Sequence, residues 1–338
     1  MEPQLPDPKL NIVPPAEMNH RSGWAFAMRA LEPLHNPDGV LFDGFTERKF
    51  GWGQVLGWWG LARKVDADAA IAPDIESVDL GPYSQAWVGV THFPPNIPKL
   101  PFANYVTPAR IFEKDAWRQS IAHCRGLFSL SRYHADWLQE RLDVPVVALI
   151  HPTEMPERRF DPEAFMAQER PAVVQVGWWL RRVHSIYELP VRTYRRVWPK
   201  PFAFSEALLR LERGLAGYKG DYSGVETPDF LSNEDYDDLL SNSVVFVHLY
   251  DASANNAVIE CIARATPILV NPLPAVREYL GDDYPLYFET LDEAVRKVED
   301  RSLVLRAHEH LKQSPLLAKL TGEYFRRSVE ESAIYRGL

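Results

Sequence analysis

The stretch from Val244 to Leu280 reads VVFVHLYDASANNAVIECIARATPILVNPLPAVREYL, and its pattern indicates the class of fold. Val244 to Leu249 is a mostly apolar run, typical of a parallel strand buried on both faces. Pro267 to Val270 repeats that pattern after apolar residues with helical spacing, which predict a helix over Ala257 to Ala265. Strand, helix and strand in so short a stretch predict a crossover between parallel strands of an α/β protein.

The start of the predicted helix is a candidate anion site. Asp251, Ser253 and Asn255 have side chains suited to capping, so the helix should begin near Asn255 or Asn256. Unpaired N–H groups and the helix dipole favour negative charge, and open α/β sheets bind ligands beyond the carboxyl ends of their strands. We therefore expect a phosphate group here, bound by Ser253, Asn255, Asn256 and Ala257.

Glu260 is the candidate partner for a ribose. It follows Asn256 by four residues, so the two share one face of the predicted helix. A carboxylate one turn below bound phosphates is placed to accept hydrogen bonds from ribose hydroxyls. The alternative interpretation is a surface salt bridge between Glu260 and Arg264.

These residues resemble the donor-binding segment of GT-B glycosyltransferases, especially the retaining family 4 type. In that family two glutamates flank a small-residue loop, a strand beginning with proline follows the helix, and a further glutamate comes later. Glu260 matches the second glutamate and Glu278 the later one. Ala252, with Asp251 beside it, stands where the family has its first glutamate, the residue that contacts the donor sugar.

The resemblance implies a GT-B fold, in which two Rossmann-like, doubly wound α/β domains face a central cleft. The charged, proline-containing segment from Glu154 to Arg170 is the predicted connection. We therefore expect an acceptor domain over residues 1–160 and a nucleotide-sugar donor domain over residues 171–338. The last helix of such chains often returns to the first domain.

The resemblance also implies the activity: transfer of a sugar from a nucleotide diphosphate sugar to a hydroxyl of a glycan or another acceptor. The expected donor is a UDP- or GDP-sugar, and the expected role is glycan biosynthesis. Retention of anomeric configuration, with no metal and no other cofactor, is part of the same expectation.

A second group of donor-site candidates follows the predicted strand Ala172 to Val176. Gly177 ends this strand, and Arg181 and Arg182 begin a helical pattern. The resemblance implies that these arginines bind the donor diphosphate and stabilise its charge during catalysis, a role suited to guanidinium groups. The alternative is a pair of arginines on an exposed helix. The resemblance also places backbone around Leu231 near the nucleotide base.

His92 is the catalytic candidate of the first domain. It follows the predicted strand Ala86 to Thr91 and so lies at the ligand edge of the sheet, where an imidazole is useful. The resemblance implies a histidine near the donor sugar at this strand end. The alternative is a structural histidine bonded within the turn at Pro94 and Pro95.

The loop after the first predicted strand, Leu10 to Val13, supplies the acceptor-site candidates. In the resembled family this loop faces the cleft, and here it contains Asn19, His20, Ser22 and Gly23. The alternative is an ordinary helix start capped by Ser22.

Two further features suggest weaker hypotheses. The Gly- and Trp-rich stretch from Phe50 to Trp59 suits buried core, a sugar-stacking wall, a lid, or peripheral contact with lipid headgroups. Asp66 and Asp68 form an Asp-x-Asp, as in the metal-binding pair of GT-A enzymes, but no apolar strand precedes them. No metal ligand is predicted.

Composition excludes several classes of protein. A chain of 338 residues with 46% hydrophobic residues is long enough for two domains with cores, and a net charge of −9 argues against a dedicated nucleic-acid binder. No apolar run has membrane-spanning length and the first residues lack a signal-peptide pattern, so we expect a cytoplasmic protein without a transmembrane segment. Cys124 and Cys261 are predicted to be buried thiols.

Two other functions fit the same pattern. A nucleotide-sugar 2-epimerase shares the GT-B architecture and the ribose-binding glutamate. A non-catalytic nucleotide or glycan binder is favoured by Ala252 at the position of the first glutamate.

Overall fold

The structure of the protein is a computed structural model that describes residues 8–12, 23–51, 81–97, 106–199, 209, 213–214, 217, 220, 222–228 and 231–338. The chain divides into two compact units. The first unit comprises Met1–Glu154 and Ala318–Leu338, and the second comprises Met155–Leu317. Each unit has its own parallel sheet.

The sheet of the first unit has five parallel strands in the order β1-β2-β3-β4-β5. The strands predicted over Leu10 to Val13 and Ala86 to Thr91 are confirmed within one residue at their ends. The strands are β1 Leu10–Ile12, β2 Val40–Asp43, β3 Trp87–Thr91, β4 Cys124–Ser129 and β5 Val146–Ala148.

Helices of the first unit cover this sheet, and several begin at side-chain caps. Ser131, for example, accepts a hydrogen bond from the backbone N–H of His134. The α-helices are Trp24–Ala30, Thr46–Phe50, Pro108–Phe112, Asp115–Ser120, Arg132–Gln139, Gly322–Glu330 and Ala333–Arg336, with 3-10 turns at Glu32–Leu34 and Ile121–His123. A further 3-10 turn, Leu317–Lys319, begins at the last residue of the second unit.

The last helices of the chain pack within the first unit. Trp24 meets Phe325 edge to face at 6.1 Å, and a Cβ on Gly322 would lie 3.0 Å from that of Ala30. A Cβ on Gly126 of β4 would lie 2.7 Å from the side chain of Ile334. The two glycines therefore permit close contact between the end of the chain and its amino-terminal half.

The sheet of the second unit has four parallel strands in the order β7-β6-β8-β9. Its strands are β6 Ala172–Gln175, β7 Arg195–Val197, β8 Ser243–Val247 and β9 Ile268–Val270. The chain first adds β7 on one side of β6 and then crosses back to add β8 and β9 on the other side. The strand order therefore reverses between β6 and β8. A crevice beyond the carboxyl ends of the strands forms at such a switch point.

The predicted crossover is confirmed. A fully buried β8 leads to helix Asn256–Arg264, and β9 follows one residue later than predicted. The remaining α-helices of the second unit are Pro162–Ala167, Ser185–Glu188, Asn233–Ser241, Pro274–Leu280, Leu291–Glu299 and Arg301–Lys312. No helix in the part of the chain that the structure describes has the length and apolar character needed to cross a membrane.

The helical pattern predicted from Arg181 is wrong at its start. The helix is only Ser185–Glu188, and both arginines precede it. Gly177 and Leu180 have left-handed backbone, with φ of 72° and 56°, which prevents a continuous helix from β6.

Candidate functional site

Two loops meet at the switch point of the second unit, one after β6 and one after β8. The N–H of Arg182 donates to the carbonyl of His248 at 2.7 Å, and the N–H of Tyr250 donates to the carbonyl of Leu180 at 2.9 Å. Between these bonds, Arg181 and Leu249 form an antiparallel bridge. The two loops are therefore held as one unit beyond the ends of the strands.

Gly177 is required by the shape of the first loop. Its φ of 72° favours glycine, and a Cβ there would lie only 2.9 Å from Cζ of Arg181. Leu180 has a left-handed φ of 56°, which costs energy in a residue with a side chain and is offset by the pairing of the two loops. Arg181 consequently folds back over Gly177.

The guanidinium of Arg181 lies against the start of helix Asn256–Arg264. Nη1 donates to the carbonyl of Trp179 at 2.8 Å and Nη2 to Oδ1 of Asn255 at 3.3 Å, while Nε has no hydrogen-bond partner among the described residues. Burial lowers the pKa of Arg181 to about 10, opposed by nearby Tyr236 and Glu260, so the group stays charged at neutral pH.

The predicted start of the helix is confirmed. Asn255 is the N-cap, and its Oδ1 accepts from the N–H of Val258 at 3.3 Å. Ser253 and Ala257 are buried, whereas Asn255 is half-buried and Asn256 exposed. The first-turn amides, the dipole of a nine-residue helix and a guanidinium thus meet at one place, which favours an anion.

Glu260 lies below that helix start and is only 5% exposed. Its Oε2 accepts a hydrogen bond from the hydroxyl of Tyr236 at 3.1 Å. Arg264 is also buried and pairs with Asp237 at 2.6 Å. A surface salt bridge between Glu260 and Arg264 is therefore the wrong interpretation.

Arg182 and His248 border the same loops. The guanidinium carbon of Arg182 lies 4.4 Å from the centre of the Tyr250 ring, and Nδ1 of His248 lies 2.9 Å from Oγ of Ser185. Burial, together with the positive charge of Arg182, lowers the pKa of His248 to about 3. His248 is therefore neutral and does not add to the charge of the two arginines.

His92 in the first unit follows β3, as predicted. Its Nε2 lies 2.9 Å from the carbonyl oxygen of Gly44, and its ring lies 4.4 Å from Trp24 and 4.3 Å from Phe45. Burial lowers its pKa to about 3, so the imidazole is neutral. Because a carbonyl only accepts, Nε2 carries the hydrogen and Nδ1 is the acceptor.

Glu47 is a residue of this region that the sequence did not reveal. It is 1% exposed, and its Oε1 accepts from the N–H groups of His92 at 2.7 Å and Phe93 at 2.8 Å. Burial raises the pKa of Glu47 to about 7, although the two amide hydrogen bonds lower it. Only its place near the start of helix Thr46–Phe50 could have drawn attention to it.

Comparison with known proteins gives a consistent picture of the fold. No family model matches the chain, and no curated protein matches its sequence. Among solved structures, sucrose-phosphate synthase from Thermosynechococcus elongatus superposes with a TM-score of 0.55 and 12% identity, over 88% of this chain and 73% of that one. The UDP-forming α,α-trehalose-phosphate synthase from Burkholderia vietnamiensis gives 0.53 and 14%, over 92% and 76%. TarM gives 0.53 and 10%, over 90% and 57%. The chain has the GT-B fold.

Within this GT-B chain, the structure brings together Gly177, Arg181, Arg182, Asn255 and Glu260 around the switch point of the second unit. Leu231 is half-buried and immediately precedes Ser232, the N-cap of helix Asn233–Ser241. Tyr236 also belongs to this group of residues, but it has no sequence motif of its own that could have indicated it.

The acceptor-site candidates of the GT-B chain are described only in part. Gly23 is the N-cap of helix Trp24–Ala30 with φ of 85°, so the alternative of a start capped by Ser22 is wrong. Asn19, His20, Ser22, Asp66, Asp68 and the Gly- and Trp-rich stretch after Gly51 lie outside the described residues.

Proposed function

We propose that this chain is a glycosyltransferase that uses a nucleoside diphosphate sugar as donor. The observation that carries the proposal is the meeting, at one switch point, of the Arg181 guanidinium, the start of helix Asn256–Arg264 and the buried carboxylate of Glu260. A cation and free amides suit a diphosphate, and a carboxylate one turn below suits a ribose.

The proposed catalytic contribution of the second unit is electrostatic. As the bond to the sugar breaks, negative charge grows on the diphosphate leaving group. Arg181, Arg182 and the amides of Asn256 and Ala257 would stabilise that charge without reorganising, because their loops are already paired.

The kind of donor is proposed from the neighbours. The trehalose-phosphate synthase forms UDP, and TarM of S. aureus has been crystallised in complex with UDP. A UDP- or GDP-sugar is therefore our proposed donor, and a hydroxyl of a glycan or another molecule our proposed acceptor. Retention of configuration, without a metal or other cofactor, is proposed from the resemblance of the residues around Glu260.

His92 is the proposed catalytic residue of the first unit. The bond to Gly44 directs the Nε2 hydrogen to the protein, which leaves Nδ1 to accept a hydrogen bond from a substrate hydroxyl. Its neutral state and its place after β3 support this role.

Ligand-induced stabilisation tests the proposal most directly. UDP, GDP, ADP and dTDP and their sugar conjugates are added to the protein, and the shift of the unfolding transition is measured. A ligand at 100 times its Kd should add about 2.7 kcal/mol. The donor that stabilises the protein is then incubated with a panel of sugar acceptors, and mass spectrometry should detect nucleoside diphosphate and a glycosylated product. Failure of every nucleotide to stabilise the protein contradicts the proposal.

A non-catalytic nucleotide binder is the second candidate, because Ala252 occupies the position of the first family glutamate. Ala252 is 4% exposed, and its N–H donates to Oδ1 of Asp251 at 2.8 Å. Nucleotide binding without transfer to any acceptor and without slow donor hydrolysis would favour this second function.

A further inference from the structure

Two neighbouring side-chain links join helix Asn233–Ser241 to helix Asn256–Arg264. The hydroxyl of Tyr236 donates to Oε2 of Glu260 at 3.1 Å. One residue further along the first helix, and four along the second, Asp237 pairs with Arg264 at 2.6 Å. Both members of that ion pair are at most 7% exposed.

The ion pair fixes the distance between the two helices at this point. A buried pair of opposite charges cannot separate without leaving an uncompensated charge, which is strongly unfavourable. Thr266 adds a further link, since its hydroxyl donates to the carbonyl of Leu240 at 3.0 Å. The aromatic ring of Tyr236 therefore extends from a fixed backbone toward Glu260.

The hydroxyl of Tyr236 remains a donor over the whole physiological pH range. Burial raises the pKa of Tyr236 well above its usual value, and the charge of Glu260 raises it further. A tyrosine has only two side-chain torsions, so it holds a partner at a low entropic cost. The Glu260 carboxylate has three torsions, and one donor on a rigid ring restricts them.

The restriction of the Glu260 torsions is important because the positive charge of Arg181 attracts the carboxylate. Nη2 of Arg181 bonds Oδ1 of Asn255, the N-cap of the helix that contains Glu260, and the charge of Glu260 raises the pKa of Arg181. A carboxylate that turned toward the arginine would neutralise the proposed diphosphate contact and leave the proposed ribose contact at the same time. The bond from Tyr236 opposes this movement.

We propose that Tyr236 is a positioning residue for nucleotide recognition, which orients Glu260 toward the ribose hydroxyls of the donor. The inference rests on the proposed function, because it assigns a second residue to the same nucleotide site. It also states the class of ligand: a ribonucleoside diphosphate, distinguished from an analogue that lacks the ribose hydroxyls.

The test compares Tyr236→Phe with Tyr287→Phe. Both changes remove one hydroxyl from a tyrosine of the second unit, and the hydroxyl of Tyr287 donates to the carbonyl of Gly281 at 2.8 Å. Calorimetry measures the Kd of UDP and GDP, each beside its 2′,3′-dideoxy analogue. We expect Tyr236→Phe to weaken binding of the preferred ribonucleotide roughly 3- to 10-fold and to leave its dideoxy analogue unchanged. Tyr287→Phe should change neither.

A double-mutant cycle with Glu260→Ala, which removes the acceptor of the Tyr236 hydroxyl, shows whether Tyr236 acts through Glu260. In the Glu260→Ala background, Tyr236→Phe should have no further effect on the ribose preference. A folded Tyr236→Phe variant with the wild-type preference, or an undiminished effect in the Glu260→Ala background, overturns the inference. If Tyr236→Phe does not fold, Tyr236→Met fills a similar volume without a donor and should give the same result.

A failure of the proposed function gives a different result, because it is seen in nucleotide binding by the wild-type protein. If wild type binds none of the four nucleotides, the proposed function is wrong and the inference falls with it. If wild type binds a ribonucleotide and its dideoxy analogue equally, the ribose contact of Glu260 is wrong, and so is the role of Tyr236.

Discussion

Glu47 in the first unit and Glu260 in the second are both buried carboxylates near the carboxyl end of a parallel sheet, but they accept from different donors. Glu47 binds the consecutive backbone N–H groups of His92 and Phe93. Glu260 accepts from the side chain of Tyr236, which belongs to another helix. A carboxylate bound to backbone amides fixes a loop, whereas one bound to a side chain at a helix start is suited to a ligand. Burial alone does not distinguish the two roles.

Removing the carboxylate of Glu47 should have the largest effect on stability. Glu47→Ala leaves two buried N–H groups without an acceptor, which should lower the free energy of unfolding by about 2–6 kcal/mol. Urea unfolding of wild type and variant measures this difference. Glu260→Ala is the matched control, and we expect it to cost less, because it removes the acceptor of a side-chain hydroxyl, that of Tyr236. An equal loss from both variants would contradict the distinction.

His92→Ala tests whether the loop that Glu47 holds serves catalysis. We expect turnover to fall roughly 10²- to 10³-fold, because a positioned hydrogen-bonding group is lost from the reacting sugar. The melting temperature and kcat are measured on the same preparation. A large fall in melting temperature with kcat per folded molecule retained would make His92 structural and remove it from the site.

The pH dependence of stability should reveal Glu47 separately. Its pKa rises from 4.5 to about 7 on folding, so the folded state holds the proton more tightly. Its contribution is fully present below pH 4.5 and is lost as the pH rises to about 7, by up to about 3 kcal/mol. The stability of wild type relative to Glu47→Gln should therefore fall over this range.

The comparison with Glu47→Gln is needed because buried histidines act in the opposite direction. The pKa of His92 falls to about 3 and that of His151 to about 4, so their stabilising contribution is lost as the pH falls below 6.5. These contributions cancel in the difference between wild type and variant. A flat difference from pH 4.5 to 7 would mean that Glu47 is charged throughout.

Arg181→Ala with Arg182→Ala tests the cationic side of the second-unit site. The double variant should bind the nucleoside diphosphate roughly 10- to 100-fold more weakly, since charge-assisted hydrogen bonds are lost. The nucleoside monophosphate is the control ligand and should be affected less. If wild type binds the two ligands equally well, the diphosphate assignment is wrong.

Glu260→Gln should have the smallest effect of the series. We expect roughly tenfold weaker nucleotide binding, because a neutral amide accepts more weakly from ribose hydroxyls. The variant keeps an oxygen for Tyr236, so the melting temperature should change little. Unchanged affinity in a folded variant would place Glu260 with Glu47, as a residue of the fold.

Much of the second-unit site could be predicted from the sequence because its signals are local. The apolar run of β8, the capping Asn255 and the periodic helix lie within a few residues of one another. The role of Glu47 could not be predicted, since its donors lie 45 and 46 positions away. Asp237 shows the same limit, because the residue that pairs with it in the interior, Arg264, is distant in the sequence.

The position of the Arg181 side chain could not be predicted from local sequence patterns. A helical pattern predicts that the residue continues a helix, but the left-handed backbone at Gly177 and Leu180 turns it back over the glycine. Such a conformation is maintained by hydrogen bonds to the loop after β8, which no local pattern encodes. The sequence could therefore indicate an arginine in the site, but not the loop conformation that positions it.

The packing of helix Gly322–Glu330 against helix Trp24–Ala30 has a consequence for the order of folding during synthesis. Phe325, which is fully buried in the first unit, leaves the ribosome after the whole of the second unit. The second unit can thus fold as an insertion while the first still lacks part of its core. A nascent chain stalled before Ala318 would expose the surface of Trp24 and Ala30, and chaperones would recognise the amino-terminal half, although it was made first.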